Sequence, residues 1–209
     1  SLIRPEATGY GCVYFAQEML KKEGNGFEGK VIAVSGSGNV ALFAAEKALM
    51  LGAKVTTLSD SSGFVHYPNG LTMDALQAIK HLKFTERHRF DVCDDLQGGT
   101  FHAGIRPWNT PMDIALPCAS QNELDVADAK ALVSNGCFAV AEGANMPTTP
   151  EAVAIFQQSN VLYAPGKASN AGGVAVSGLE MAQNSLRYNW TRQEVDDKLK
   201  AIMGDIHQS

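Results

Sequence analysis

The sequence lacks long hydrophobic runs, paired cysteines and an excess of positive charge, and each absence excludes a class of protein. No apolar run approaches the ~20 residues that a helix needs to cross a bilayer, so we expect no membrane segment. The four cysteines include no CxxC pair. They are expected to be reduced thiols of a cytoplasmic protein, not a disulfide framework. A net formal charge of −5 gives no basic surface for nucleic acid.

Signals for metal binding and for export are also missing. The five histidines show no spacing typical of metal ligands, and we interpret them as surface residues. Residues 1–8 are polar and include Arg4, Pro5 and Glu6, which predicts no signal peptide. Cys118 has no histidine near it in the sequence, so a packed thiol is favoured over a nucleophile.

Segments with helical periodicity alternate with short apolar, β-branched segments along the 209 residues. Helices are predicted at 10–23, 40–51, 71–82, 126–134, 150–158, 174–188 and 192–207. Strands are predicted at 30–35, 55–59, 113–116, 138–141 and 161–164, and residues 83–111 are expected to be irregular and polar. This alternation predicts an α/β fold of the Rossmann-like, doubly wound type: a mostly parallel sheet with helices on both faces.

Each predicted strand runs into a short loop of small or polar residues. These loops are residues 36–39, 60–63, 117–122, 142–146 and 165–170. In a parallel sheet the carboxyl ends of the strands meet at one edge, and open α/β sheets bind their ligands there. The sequence therefore predicts a ligand site built from these five loops.

A GxGxxA pattern, in which Gly36, Gly38 and Ala41 hold the fixed positions, leaves a predicted strand and enters a predicted helix. Gly36 would make the tight turn, Gly38 would let a pyrophosphate approach the backbone, and Ala41 would let the helix pack on the strand. The amino end of the helix would attract the phosphates. The alternative is a glycine-rich turn without a ligand.

Asp60 ends the second predicted strand, where an acid commonly accepts hydrogen bonds from the adenosine ribose and favours NAD. Ser61 and Ser62 follow it, and their hydroxyl groups suit a 2′-phosphate instead. A basic run within residues 80–89 includes Lys83, which could neutralise that phosphate. The alternative is that most of this run is a solvated helix end.

Five stretches carry a specific resemblance: RPEATGYG at 4–11, SDSSG at 59–63, ALPCASQNELD at 115–125, AEGANMP at 141–147 and PGKASNAGG at 165–173. They closely resemble the hexameric glutamate dehydrogenases of the NADP-linked kind. The resemblance implies that residues 1–209 are the coenzyme-binding domain and that an N-terminal substrate domain is absent from this chain. It also implies a full-length homo-hexamer that interconverts glutamate with 2-oxoglutarate and ammonia, using NADP or alternatively NAD.

The resemblance also implies roles for individual residues. The residues implied at the nicotinamide end are Arg4, Thr8, Asn145 and Asn170. Those implied at the pyrophosphate and its neighbouring ribose are Gly36, Ser37, Gly38, Asn39 and Val40. Those implied at the adenosine ribose and its phosphate are Asp60, Ser61, Ser62 and Lys83. Those implied to line the cleft are Cys118, Ala119 and Gln121, and those implied to face the substrate carboxylate are Val174 and Ser177. The resemblance places no catalytic residue in this chain, which alone is expected to be inactive.

Other functions fit some of these observations. A non-catalytic dinucleotide sensor would need the same fold and no acid–base residues. A leucine-type or phenylalanine-type amino-acid dehydrogenase would share the coenzyme site but differ in the carboxylate pocket, where Ser177 favours glutamate. Asn145 and Asn170 have the alternative of only capping turns with their side chains.

Overall fold

A seven-stranded sheet forms the centre of the protein, whose computed structural model describes residues 6–169 and 192–208. In chain order the strands are β1 (Val31–Ser35), β2 (Lys54–Asp60), β3 (Gly63–His66), β4 (Thr100–Ala103), β5 (Ile114–Pro117), β6 (Ala139–Ala141) and β7 (Leu162–Ala164). Their order across the sheet is β4-β3-β2-β1-β5-β6-β7. Strands β2, β1, β5, β6 and β7 run parallel, which confirms the predicted mostly parallel sheet.

The two strands at one edge are antiparallel and were not predicted. The chain turns back after β2, so that Asp60 pairs with Gly63, and β4 then pairs with β3. The prediction of an irregular segment at 83–111 was therefore wrong for β4, and the predicted loop at 60–63 contains the start of β3. Both strands are four residues long and contain histidine. Strands of only four residues give little periodic signal.

Seven α-helices are formed by the described residues, together with a π-helical turn at Leu82–Glu86 and short 3-10 helices at Phe90–Val92 and Pro107–Asn109. The α-helices are α1 (Ala7–Lys22), α2 (Asn39–Met50), α3 (Met73–His81), α4 (Val126–Ser134), α5 (Pro150–Gln158), the single turn α6 (Gly166–Ser169) and α7 (Arg192–Gln208). The predicted bounds of α4 and α5 match residue for residue. The predicted helix at 174–188 lies outside the described residues. Among these helices, none combines the length and the apolar character that a membrane span requires.

Alternating side chains of β1 explain why both faces of the sheet are covered. Ile32 and Val34 point into one hydrophobic core, whereas Ala33 belongs to the other. The first core lies under α1, α2 and α7, and the second lies under α4 and α5. Trp108 is almost fully buried in the second core and fixes the chain shortly before β5.

Helix α1 packs across α2 with no side chain between the two backbones at Gly9. A Cβ atom on Gly9 would lie 2.7 Å from the carbonyl oxygen of Val40 and 2.7 Å from the amide nitrogen of Ala44. Only glycine permits this approach. The same helix holds α7 by a hydrogen bond of 2.7 Å from the Tyr14 hydroxyl to Asp196.

Helix α4 begins with a reciprocal capping box. The Asp125 carboxylate accepts a hydrogen bond of 2.9 Å from the Asp128 amide, and the Asp128 carboxylate accepts one of 3.1 Å from the Asp125 amide. Two amide groups that lack partners within the helix are thereby satisfied.

We predict that Asp125→Ala lowers the free energy of unfolding by about 1 kcal/mol, because the cap of α4 is lost. Urea denaturation measures the change. Lys130→Ala, an exposed substitution in the same helix, serves as the control and should stay within about 0.5 kcal/mol of the parent. Equal stability of the two variants would show that the cap contributes nothing.

Candidate functional site

A cleft of about 830 Å³ lies at the carboxyl ends of β1, β2 and β5. This is the edge at which the sequence predicts a ligand site. Four loops line the cleft: the glycine turn 36–40, the turn after β2, the loop 104–106 after β4, and the loop 118–123 after β5. The cleft is open to solvent and large enough for much of a nucleotide-sized ligand.

The glycine turn begins with Gly36, whose conformation excludes other residues. Its φ angle is +91°, and a Cβ atom would lie 2.8 Å from the carbonyl oxygen of Cys118. The Gly36 amide donates a hydrogen bond of 2.7 Å to the Ser59 hydroxyl of β2. The turn is therefore held tightly against both neighbouring strands.

Gly38, unlike Gly36, borders open space. It precedes the first residue of α2, and no side chain caps this helix end. No atom lies within 4 Å of where its Cβ would be. The first amide groups of a helix lack partners within the helix and carry partial positive charge. The amino end of α2 is thus available to an anion in the cleft.

Two further hydrogen bonds join the strand ends beneath the cleft. The Cys118 amide of the β5 loop donates to the Ser35 hydroxyl at 3.0 Å, and the Ser59 amide donates to the Gly36 carbonyl at 3.1 Å. With the bond from the Gly36 amide to Ser59, they tie β2, β1 and β5 together where the parallel ladder ends.

The Asp60 carboxylate is surrounded by donors from its own chain. One oxygen accepts the Ser62 amide at 2.8 Å and the Ser62 hydroxyl, and the other accepts Lys83 Nζ at 2.6 Å and the Phe90 amide at 2.8 Å. Burial alone would raise the pKa of Asp60, but the hydrogen bonds from Lys83, Ser62 and Phe90 outweigh it and lower that pKa. The group is ionised, and its four acceptor positions are used.

Lys83 belongs to the same network of contacts around Asp60. Its side chain is 9% exposed, and its ammonium lies 3.8 Å from the centre of the Phe90 ring in addition to pairing with Asp60. Lys83 and Ser62 therefore lie behind the turn that follows β2, whereas Ser61 is exposed and lines the cleft.

Glu123 stabilises the loop after β5 by accepting hydrogen bonds from amides of the same loop. One oxygen of its carboxylate accepts the amides of Ala119 at 2.9 Å and Ser120 at 2.8 Å. Burial raises the pKa of Glu123, more than the hydrogen bonds from Ser35 and from these two amides lower it. Ala119 and Ser120 are thereby fixed at the rim of the cleft.

The Cys118 thiol lies at the buried base of this loop. A hydrogen bond shared with the Cys12 thiol, followed by burial, raises the pKa of Cys118 well above its ordinary value. The group stays a protonated thiol and does not act as a nucleophile. Within residues 6–169 and 192–208, no group of three or more His, Cys, Asp or Glu side chains could hold a metal.

Most of the predicted site residues that the structure describes line the cleft: Gly36, Ser37, Gly38, Asn39, Val40, Asp60, Ser61, Cys118, Ala119 and Gln121. Four others lie away from its lining. Thr8 is in the first turn of α1, Asn145 is exposed on the loop after β6, and Ser62 and Lys83 hold Asp60. The remaining predicted residues, Arg4, Asn170, Val174 and Ser177, lie outside the described residues.

The cleft also contains residues for which the sequence analysis predicts no role. Ser120, Asn122 and Glu123 lie within the stretch at 115–125, so the predicted loop could have suggested them. Ile105 and Arg106 follow the edge strand β4, and no sequence signal indicated that this strand would reach the site.

A buried carboxylate joins the loops that follow β6 and β7. Glu142 is 2% exposed and accepts hydrogen bonds from the amides of Thr148 at 3.1 Å and Gly166 at 2.8 Å. Its carbonyl oxygen accepts the Ser169 hydroxyl. Glu142 therefore sets the position of the loop carrying Asn145 relative to α6.

The model of one protein family, glutamate/leucine/phenylalanine/valine dehydrogenase, matches residues 1–209, which is the whole chain. The chain belongs to this family. Similar members include the NADP-specific glutamate dehydrogenase of Haemophilus influenzae, which is 59% identical over 207 residues. The NAD(P)-specific glutamate dehydrogenase of Xylanibacter ruminicola is 56% identical over 207 residues.

Solved structures of this dehydrogenase family share the fold. Plasmodium falciparum glutamate dehydrogenase superposes with a TM-score of 0.94 at 47% identity, over 98% of this chain and 44% of that one. The two sequence relatives are matched over 99% of this chain but over only 46% and 47% of their own lengths. The chain thus spans under half the length of these relatives. The resemblance and the Rossmann-like α/β fold expected from the sequence are both confirmed.

We predict that Gly36→Ala lowers the free energy of unfolding by about 2 kcal/mol or more, because of the strained φ angle and the contact with Cys118. Gly38→Ala is the matched control, since its Cβ enters open space. It should lower the same quantity by less than about 1 kcal/mol. Urea denaturation of both variants tests this. Similar losses at the two positions would contradict the assigned geometry.

Proposed function

We propose that residues 1–209 are the coenzyme-binding domain of a glutamate dehydrogenase that prefers NADP to NAD. The observation that carries this proposal is the uncapped amino end of α2 facing a cleft at the carboxyl edge of the sheet. The names of the two sequence relatives add support, because both are glutamate dehydrogenases and NADP is a coenzyme of both. They favour glutamate over leucine or phenylalanine as the substrate.

The coenzyme diphosphate fits the glycine turn. Gly38 leaves room for an anion next to the backbone, and the amides of Asn39 and Val40 begin the helix there. Diphosphate oxygens would replace water as acceptors for these amide groups, with the helix dipole adding to the attraction. Gly36 and Ser37 contribute the turn that aims the amides into the cleft.

The adenosine end explains the preference for NADP. Asp60 has no acceptor position left for ribose hydroxyls, and Lys83 offsets its charge at 2.6 Å. A free aspartate would repel a 2′-phosphate, whereas this paired aspartate repels it less. The exposed Ser61 hydroxyl then supplies a donor to the phosphate, while Lys83 acts from behind the turn by neutralising Asp60.

The nicotinamide end is assigned to Thr8 and Asn145 among the described residues, and to Arg4 and Asn170 outside them. Neutral amide and hydroxyl groups suit a carboxamide, which both donates and accepts. Cys118, Ala119 and Gln121 form the wall between the two ends, where the protonated thiol adds no charge.

The proposed reaction belongs to the full-length protein. When bound, the oxidised coenzyme would supply the hydride acceptor for the oxidation of glutamate, which with one water gives 2-oxoglutarate and ammonia. The part of this chain is to bind and orient the coenzyme, while Val174 and Ser177 are assigned to the substrate carboxylate. The groups that move protons on the substrate are assigned to an N-terminal domain outside this chain, and the assembly to a homo-hexamer.

We predict that the full-length gene product binds NADPH more tightly than NADH in isothermal titration calorimetry. It should also reduce NADP in the presence of glutamate, followed by absorbance. Gly38→Ala should weaken NADPH binding by about tenfold or more, because its methyl group occupies the space for the diphosphate. Its thermal unfolding should stay near that of the parent. A parent protein that binds neither coenzyme would overturn the proposal.

We predict that Lys83→Ala weakens NADPH binding by about tenfold or more, because Asp60 would lose the cation that neutralises it and its charge would then repel the 2′-phosphate. NADH, which lacks that phosphate, should lose little affinity. Both are measured by calorimetry, with Lys130→Ala as the control, since Lys130 is exposed and is not among the residues that line the cleft. Equal weakening of NADPH and NADH would refute the role of Lys83 at the phosphate.

A further inference from the structure

The short loop after the edge strand β4 forms one wall of the cleft. Its residues Gly104, Ile105 and Arg106 all line the cleft, and the Gly104 amide donates a hydrogen bond of 2.8 Å to the Ser62 carbonyl. This bond ties the loop to the turn that follows β2. The loop therefore reaches the proposed coenzyme from a side that the glycine turn does not cover.

Arg106 is half-exposed, with 51% of its side chain accessible. Among the described residues that line the cleft, it alone carries a permanent positive charge. The other ionisable groups there are the carboxyl groups of Asp60 and Glu123 and the thiol of Cys118, and Lys83 already pairs with Asp60. A bound anion in the cleft would therefore have Arg106 as its accessible cation.

The guanidinium of Arg106 is held in place by contacts that involve only one of its nitrogen atoms. Its Nη1 atom donates to the carbonyl oxygen of Glu123 and lies 3.6 Å from the Asp128 carboxylate. Both of these contacts are made by Nη1, whereas an arginine side chain has five N–H donors in a planar fork. The anchor holds the plane of the guanidinium and leaves Nε and Nη2 for a ligand.

The backbone of the loop is fixed on its other side. Pro107 and Trp108 follow Arg106 directly, and both are buried. A rigid support on one side and an anchored side chain on the other reduce the entropy lost when a ligand binds. The arrangement resembles a preformed anion contact more than a solvated surface arginine.

The charge of a dinucleotide needs such a contact. The diphosphate bears two negative charges, and the amino end of a helix supplies the equivalent of only about half a positive charge. Arginine binds phosphate oxygens through two parallel hydrogen bonds. We propose that Arg106 binds a phosphate group of the dinucleotide from the β4 side of the cleft. The inference rests on the proposed coenzyme function and adds a residue to it.

The test uses the full-length protein and three variants: Arg106→Met, Arg106→Lys and the exposed Lys130→Met on α4 as a matched loss of charge. Dissociation constants for NADPH and NADH are measured by calorimetry at low and moderate salt. We expect Arg106→Met to weaken binding by about tenfold or more, with a shallower salt dependence. The variant Arg106→Lys should keep part of the affinity for the coenzyme, and Lys130→Met should leave that affinity unchanged.

The two coenzymes distinguish which phosphate is bound. Equal weakening for NADPH and NADH assigns Arg106 to the diphosphate, and selective weakening for NADPH assigns it to the 2′-phosphate. Unchanged affinity for both coenzymes in Arg106→Met, with normal binding by the parent, overturns this inference and leaves the proposed function standing. A parent protein that binds neither coenzyme overturns both. If Arg106→Met fails to fold, unchanged affinity in Arg106→Lys overturns the inference equally, because lysine cannot reproduce the guanidinium fork.

Discussion

The site depends on a small set of hydrogen bonds made by two serine hydroxyls where the parallel sheet ends. Ser59 accepts the amide of Gly36, and Ser35 accepts the amide of Cys118. The ladder of a parallel sheet cannot continue past the strand ends, so backbone amides there need other acceptors. By supplying them, the two hydroxyls hold β2, β1 and β5 at a fixed separation. These hydrogen bonds therefore set the positions of the glycine turn and of the loop after β5.

Electrostatics at the cleft follows from that fixed frame. The amino end of α2 faces the cleft because Gly36 turns the chain sharply there, and its open amides offer partial positive charge. The two acids at the rim are occupied by their own chain: Asp60 by Lys83, Ser62 and Phe90, and Glu123 by the amides of Ala119 and Ser120. Acids that would otherwise repel an anion thus serve to shape its surroundings.

Local patterns in the sequence predicted the elements whose causes are local. Helix α4 was predicted residue for residue because Asp125 caps it and its apolar residues repeat with helical period, and the glycine turn was predicted from residue spacing. Contacts between distant parts of the chain were not predictable in this way. The pairing of β4 with β3, the hydrogen bonds from Thr148 and Gly166 to Glu142, and the pairing of Lys83 with Asp60 arise only when the fold brings these residues together. Lys83 was assigned to a phosphate of the coenzyme, yet nothing in the sequence indicated that the Lys83 ammonium would pair with Asp60.

The crossing of α1 over α2 has a mechanical consequence. At Gly9 the two helical backbones touch, with no side chain between them whose rotamer could change. Densely packed interiors transmit displacement instead of absorbing it. A shift of α1 by a fraction of an ångström is therefore passed directly to Val40 and Ala44. The first turn of α2, which faces the cleft, would then move together with α1, although no residue of α1 lines the cleft.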